Sequence, residues 1–183
     1  PKMNLFTQVT LPPKIITLEP HSNIMFIGSC FAEHVGVQIQ QRMGETNCDV
    51  NPFGVLYNPV SIAQGIDMLI NFSIYRQRIT ENIFLGQDNI HHCWLHTSHF
   101  SDTDKEKCLE KILHRMEQAH NRLLSADVLC VTFGTTRYYE LKEPPHTIVA
   151  NCHKEPQKIF IEKEPTLEEL LALWQQTLDS LYR

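Results

Sequence analysis

Four consecutive apolar residues, Ile24-Met25-Phe26-Ile27, end at Gly28 and give way at once to a different spacing. A run that is apolar at every position has no solvent face, so it reads as a strand covered on both sides, as in a parallel sheet. Beyond it Ala32, Val35, Gly36, Ile39 and Met43 fall on one face of a helix, which Gly44 stops. The switch recurs. Cys48-Asp49-Val50 leads into the turn Asn51-Pro52-Phe53-Gly54, and Asn58-Pro59 then opens a helix with a cap and a first-turn proline. Ile62, Ile66, Leu69 and Ser73 share one face of that helix. A long stripe, Leu109, Ile112, Leu113, Met116, Leu123 and Leu124, precedes a third strand, Asp127 to Phe133, which closes on Gly134.

Two inserts interrupt the alternation. Residues 83–94 predict a hairpin around Gly86-Gln87-Asp88-Asn89, and a second hairpin is predicted over 147–162. Thr166-Leu167-Glu168-Glu169 forms a capping box that opens a final helix through Leu170, Leu171, Trp174, Leu178 and Leu181. The pattern predicts an α/β fold, one domain over 1–183: a three-layer sandwich with a mostly parallel central sheet and inserted β-hairpins. Reactive groups in such sheets gather at the carboxyl ends of the strands. The loops Gly28-Ser29-Cys30, Asn51 to Gly54 and Gly134-Thr135-Thr136 are therefore expected to converge.

Composition narrows the function. The net charge is −5 and the 16 basic residues form no long run, which argues against a nucleic-acid footprint. No apolar stretch approaches the roughly 20 residues needed to cross a bilayer, so no membrane partner is expected. Pro1 to Pro13 lacks a basic segment followed by an apolar run and does not read as a signal peptide. The six cysteines are widely spaced with no CxxC pair and are read as reduced thiols in a cytoplasmic protein.

Five ordered segments carry a family likeness: Phe26-Ile-Gly-Ser-Cys-Phe-Ala-Glu33, Asn51-Pro-Phe-Gly-Val-Leu-Tyr-Asn-Pro59, the stretch around Trp94, His99 and Phe100, Thr132-Phe-Gly-Thr135, and Val149-Ala-Asn-Cys-His-Lys154. Together they resemble the GSCFA family, which is grouped with the SGNH hydrolases, enzymes that cleave or transfer esters on a flavodoxin-like sheet. The resemblance implies a hydrolase or acyltransferase that takes a small-molecule or carbohydrate ester or thioester, with no cofactor and no metal. The SGNH first block reads Gly-Asp-Ser; here Gly28-Ser29-Cys30 places Cys30 at the nucleophile position and Ser29 at the Asp position. A helix N-terminus favours the thiolate, whereas Ser29 needs a positioned base. Cys30 could equally be a small buried residue, and Ser29 a helix cap.

The second block implies an oxyanion donor at the Gly54 N–H, with Asn51 as an additional side-chain donor or a plain turn former. The third block is normally Gly-x-Asn-Asp. It reads Gly134-Thr135-Thr136-Arg137 here, so only the Thr136 hydroxyl could stand in for the missing Asn. The terminal Asp-x-x-His is absent from its expected place. Asp88-Asn89-Ile90-His91 has the spacing but lies in the first hairpin and is read as coincidental. The resemblance implies a family domain that continues past Arg183, hence a truncated chain, or one that works without that His.

His99 and His153 are the candidate general bases, since imidazole titrates near neutrality. The segment His91-His92-Cys93-Trp94-Leu95-His96-Thr97-Ser98-His99 also raises a metal-binding reading. Strand alternation splits its ligands between faces, so exposed polar histidines are the expectation. A third reading is a binding module that kept the scaffold and lost the catalytic set.

Overall fold

The computed structural model describes residues 10, 13 and 17–182. The N-terminal segment read above as carrying no signal peptide lies outside them apart from Thr10 and Pro13, as does Arg183. In chain order the elements are β1 (Ile24–Gly28), α1 (Cys30–Met43), β2 (Cys48–Val50), α2 (Pro59–Ile70), α3 (Phe72–Glu81), β3 (Ile83–Leu85) and β4 (His91–Cys93). There follow α4 (Lys105–Leu124), β5 (Val128–Thr132), β6 (Tyr138–Leu141), β7 (Ile148–Val149), β8 (Phe160–Lys163) and α5 (Leu167–Leu181).

Strand β1 is the middle of a parallel sheet ordered β2-β1-β5 and is buried along its whole length, as its unbroken apolar run requires. Its side chains alternate between two cores. Ile24 and Phe26 pack with Ala32, Cys48 and the partly buried Val35, Ile39 and Met43 under α1. Met25 and Ile27 face Ile62, Ile66, Leu69, Ile112 and Met116 of α2 and α4. The result is the expected three-layer α/β arrangement, with α1 on one side of the sheet and α2 and α4 on the other. Helix α5 packs beside α2 and adds Trp174 and Leu181 to the larger core. Among the described residues no helix is long and apolar enough to cross a membrane.

The caps follow the sequence. Asn58 accepts the Ser61 N–H at 2.7 Å, Pro59 occupies the first turn of α2, and Thr166 and Glu169 close a reciprocal capping box on α5. Four details differ. Helix α2 stops at Asn71, whose side chain folds back onto the Asp67 carbonyl at 3.3 Å and carboxylate at 2.8 Å, so Ser73 belongs to α3. The buried stripe of α4 runs through Cys108, Ile112, Met116 and Ala119, and Leu124 is 70% exposed. Residues 147–162 do not form a hairpin, because β7 and β8 both pair with β6, which lies between them. Glu140 hides that central strand from a hydrophobicity reading: it is buried among apolar neighbours because Lys163 on β8 reaches its carboxylate at 2.5 Å.

The fourth difference concerns the histidines. His92, His96 and His153 are only 4%, 0% and 5% exposed. His96 sits between Phe53 and Phe100, at 5.4 and 5.2 Å between ring centroids, and neither of its nitrogens has a partner. Burial pushes it down to about 3 from an ordinary 6.5. His153 is held at both nitrogens, by Ser98 Oγ at 3.0 Å and the Cys93 carbonyl at 2.9 Å, and burial lowers it to about 4. Among the described residues no three His, Cys, Asp or Glu side chains meet in a way that could hold a metal ion.

A part-buried ion pair ties α4 to the sheet. Arg115 donates to Asp49 Oδ2 at 3.1 Å, to the second carboxylate oxygen through its other terminal nitrogen, and to the Val50 carbonyl at 3.3 Å. Arg115→Ala leaves the Asp49 carboxylate without its cation and is expected to cost about 1 to 2 kcal/mol in urea unfolding, less than a fully buried pair because Arg115 is part-exposed. The double variant with Asp49→Asn should recover part of that loss. The histidines predict an acid sensitivity of definite sign. Both stay neutral in the fold, while the unfolded chain takes up protons below 6.5, so stability is full above that pH and falls toward about 4 for the pair and about 3 for His96 alone. Near pH 5 the loss should approach about 1.4 kcal/mol per pH unit for each histidine, and His96→Phe should remove one proton from the dependence.

Candidate active site

The three strand-tip loops do converge. The Gly28 N–H donates to Asn51 Oδ1 at 2.9 Å, the Leu56 N–H to the Gly28 carbonyl at 2.9 Å, and the Gly134 N–H to the Tyr57 carbonyl at 2.7 Å. From the third loop, Thr132 accepts the Ser29 N–H at its carbonyl, 3.3 Å, and at its hydroxyl, 3.1 Å. Gly28 lies directly opposite Thr132 in the sheet, at φ 148°. A Cβ there would stand 2.2 Å from the Thr132 carbonyl oxygen, so only glycine lets β1 close on β5. The sheet order puts β1 between the strand that follows it and the strand that returns on its other side. This is the switch point at which open α/β sheets leave a crevice.

Ser29 and Cys30 separate into two roles. Ser29 is buried; its Oγ accepts the Phe31 N–H at 3.3 Å as the cap of α1 and shares a hydrogen with Thr132 Oγ1 at 2.9 Å. Cys30, the first residue of α1, is the one exposed thiol of the six. One turn along, His34 Nδ1 lies 2.6 Å from the Cys30 carbonyl. A carbonyl only accepts, so Nδ1 carries the hydrogen and Nε2 keeps its lone pair.

A cavity of about 840 Å³ opens beside these loops, lined among others by Glu33, Asn51, Gly54, Tyr57, His99 and Arg115; its lining does not include Ser29 or Cys30. The Gly54 N–H is already donated to the Asn51 carbonyl at 2.9 Å, and its Cα rests against Thr97. Asn51 holds a left-handed backbone, φ 44°, and its Nδ2 is buried without a partner. His99 is exposed on a 3-10 turn, edge-on to Phe100, and faces this cavity. His153 points elsewhere: both ring nitrogens are engaged in the insert, so it has none to offer Cys30. Thr136 is exposed and donates to Glu164 at 2.9 Å, while the Gly134 N–H is spent on Tyr57. His91 turns to the Thr103 carbonyl at 3.2 Å rather than to Asp88.

Thus Asn51 and Gly54 line the cavity with His99 on its wall, Ser29 and Cys30 stand on the adjoining loop outside its lining, Gly134 and Thr136 line a separate apolar pocket with Leu171 and Trp174, and His153 lies apart. Two neighbours of the site escaped the sequence reading. His34 was legible in principle, since four residues on a helix put it over Cys30. Thr132 had no such signal, because only the register of β1 against β5 brings its hydroxyl to Ser29.

No curated protein and no solved structure matches this chain. The GSCFA family model matches residues 23–183, from the residue before β1 to the end of the sequence, and takes in every loop of the crevice. The chain belongs to the GSCFA family.

Proposed function

We propose that this protein transfers acyl groups from an ester or thioester, as a hydrolase or acyltransferase, with Cys30 as nucleophile. The observation that carries the reading is an exposed thiol at the N-terminus of a 14-residue helix, with an imidazole of fixed tautomer one turn away. His34 Nε2 accepts the thiol proton, and the sulfur attacks the acyl carbon. The oxyanion that develops faces the first turn of α1, whose N–H groups lack intrahelical acceptors; Ser29 Oγ takes only the one on Phe31. The leaving group departs with the proton from His34, and the Cys30 thioester passes its acyl group to water or to an alcohol. Asn51, Tyr57, Glu33 and His99 give the adjoining cavity a polar wall suited to a hydroxyl-rich substrate such as an acylated sugar. The likeness to SGNH enzymes supports an ester substrate, and a reaction that needs a free thiol fits a cytoplasmic setting.

A non-catalytic binding module on the same cavity is the second reading. It draws on the Gly54 and Gly134 N–H groups being spent within turns and on the unpartnered Asn51 amide. Acid-quenched mixtures with p-nitrophenyl acetate, mapped by mass spectrometry, separate the two. The acyl-transfer reading predicts an acetyl group on Cys30 ahead of the other five thiols, abolished by Cys30→Ala and slowed about 10- to 100-fold by His34→Gln. Because Cys30 is also the one exposed thiol, the deciding result is the variant: Cys30 acetylated as fast in His34→Gln as in the native chain would contradict it.

A further inference from the structure

Away from the strand tips, the hairpin β3–β4 holds a chain of groups that the acyl-transfer site does not use. Asp88 in its turn places both carboxylate oxygens near His92 Nε2, at 3.1 and 3.2 Å. On the other side of the ring, His92 Nδ1 is 2.6 Å from Ser101 Oγ. The Asp88 carboxyl is held below the usual carboxylate range, first by its hydrogen bond to His92 and next by the Ile90 N–H. An ionised carboxylate can only accept, so Nε2 carries a hydrogen, and in the neutral ring the Nδ1 lone pair points at the Ser101 hydroxyl. With the ring neutral, Ser101 is the donor in that bond.

The chain is held from every side. His92 pairs with Phe84 across the hairpin, and its ring stacks on that of His153 at 4.5 Å between centroids. His153 cannot turn, because both of its nitrogens are bonded. Gly86 leaves room for the pair: a Cβ there would come within 2.7 Å of the His92 ring and 2.8 Å of the Asp88 carboxylate. The serine is fixed as well, since His91 and Asp102 exchange backbone hydrogen bonds of 2.7 and 3.1 Å immediately beside it. The imidazole is 4% exposed, while Ser101 is half-buried and Asp88 is at the surface.

We infer that Ser101, His92 and Asp88 form a second, independent nucleophilic site, a serine activated by a buried imidazole and an orienting carboxylate, which accepts short acyl groups from uncharged esters. In the step, the Ser101 proton passes to His92 Nδ1 as Oγ bonds to the acyl carbon. The bond from that carbon to the leaving alcohol's oxygen breaks, and the alcohol departs with the proton from His92. Water then repeats the sequence, so that ester and water give acid and alcohol. The half-buried serine restricts the donor to a narrow acyl chain. Asp88 is a positioning residue, acting through His92.

The test is covalent capture on the full chain with an alkyl fluorophosphonate, followed by peptide mapping. Phosphorus bonds to Oγ, fluoride leaves and the proton goes to His92. Native protein is expected to carry the adduct on Ser101, and the urea-unfolded chain is expected not to. Asp88→Asn, at an exposed position, should slow Ser101 capture by at least about 100-fold while the thermal midpoint holds, because an amide can present its N–H to Nε2 and reverse the tautomer. Cys30→Ala should leave Ser101 capture unchanged, which keeps this result separate from that of the thiol site. Native protein without a Ser101 adduct, or one formed equally fast in Asp88→Asn, would overturn the inference.

Discussion

The hydrogen that Gly28 carries in place of a side chain lets the carboxyl end of β1 lie against the backbone of Thr132. Much of the crevice follows from that approach. With β1 and β5 in contact through Thr132, the Ser29 N–H and hydroxyl both reach Thr132, which sets the first turn of α1 in place. The Gly28 N–H and carbonyl are then satisfied by Asn51 and Leu56 from the second loop, which in turn presents the Tyr57 carbonyl to Gly134. Backbone groups that would otherwise be buried without partners are paired across three loops. The first helical residue, Cys30, is left at the surface.

The polar content of the insert follows a different logic. Its histidines are buried because rings from four segments stack there. Phe84 lies flat on Trp94 at 3.6 Å, His92 on His153, and Trp94 packs edge-on against Phe160 of β8. His153 and His92 keep their nitrogens bonded, as a low-dielectric setting requires, whereas His96 gives up both. The same packing that makes the insert sensitive to acid holds the Asp88–His92–Ser101 chain rigid.

The sequence was most legible where a physical signal is local. The run at 24–27, the Asn58-Pro59 start and the Thr166–Glu169 box each depend on near neighbours, and each stands where it was expected. The convergence of the three loops followed from the parallel-sheet rule alone. What failed depended on distant partners. Strand β6 was missed because Glu140 is neutralised by a lysine 23 residues away, and the histidines were placed in solvent because their aromatic neighbours come from four segments. The roles of Ser29 and Cys30 stayed open because one residue's shift along the chain separates a buried cap from an exposed thiol.

If the tip of β1 sets the chemistry of the thiol, disturbing that tip must change the thiol before it changes the core. The direct measurement is site-resolved alkylation of all six cysteines by iodoacetamide in native protein and in Gly28→Ala. Cys30 should react first in the native chain, and Gly28→Ala should slow it by about 10-fold or more while Cys48, Cys93 and Cys108 stay protected in the core. An unchanged Cys30 rate in a variant that keeps those three buried would contradict the account.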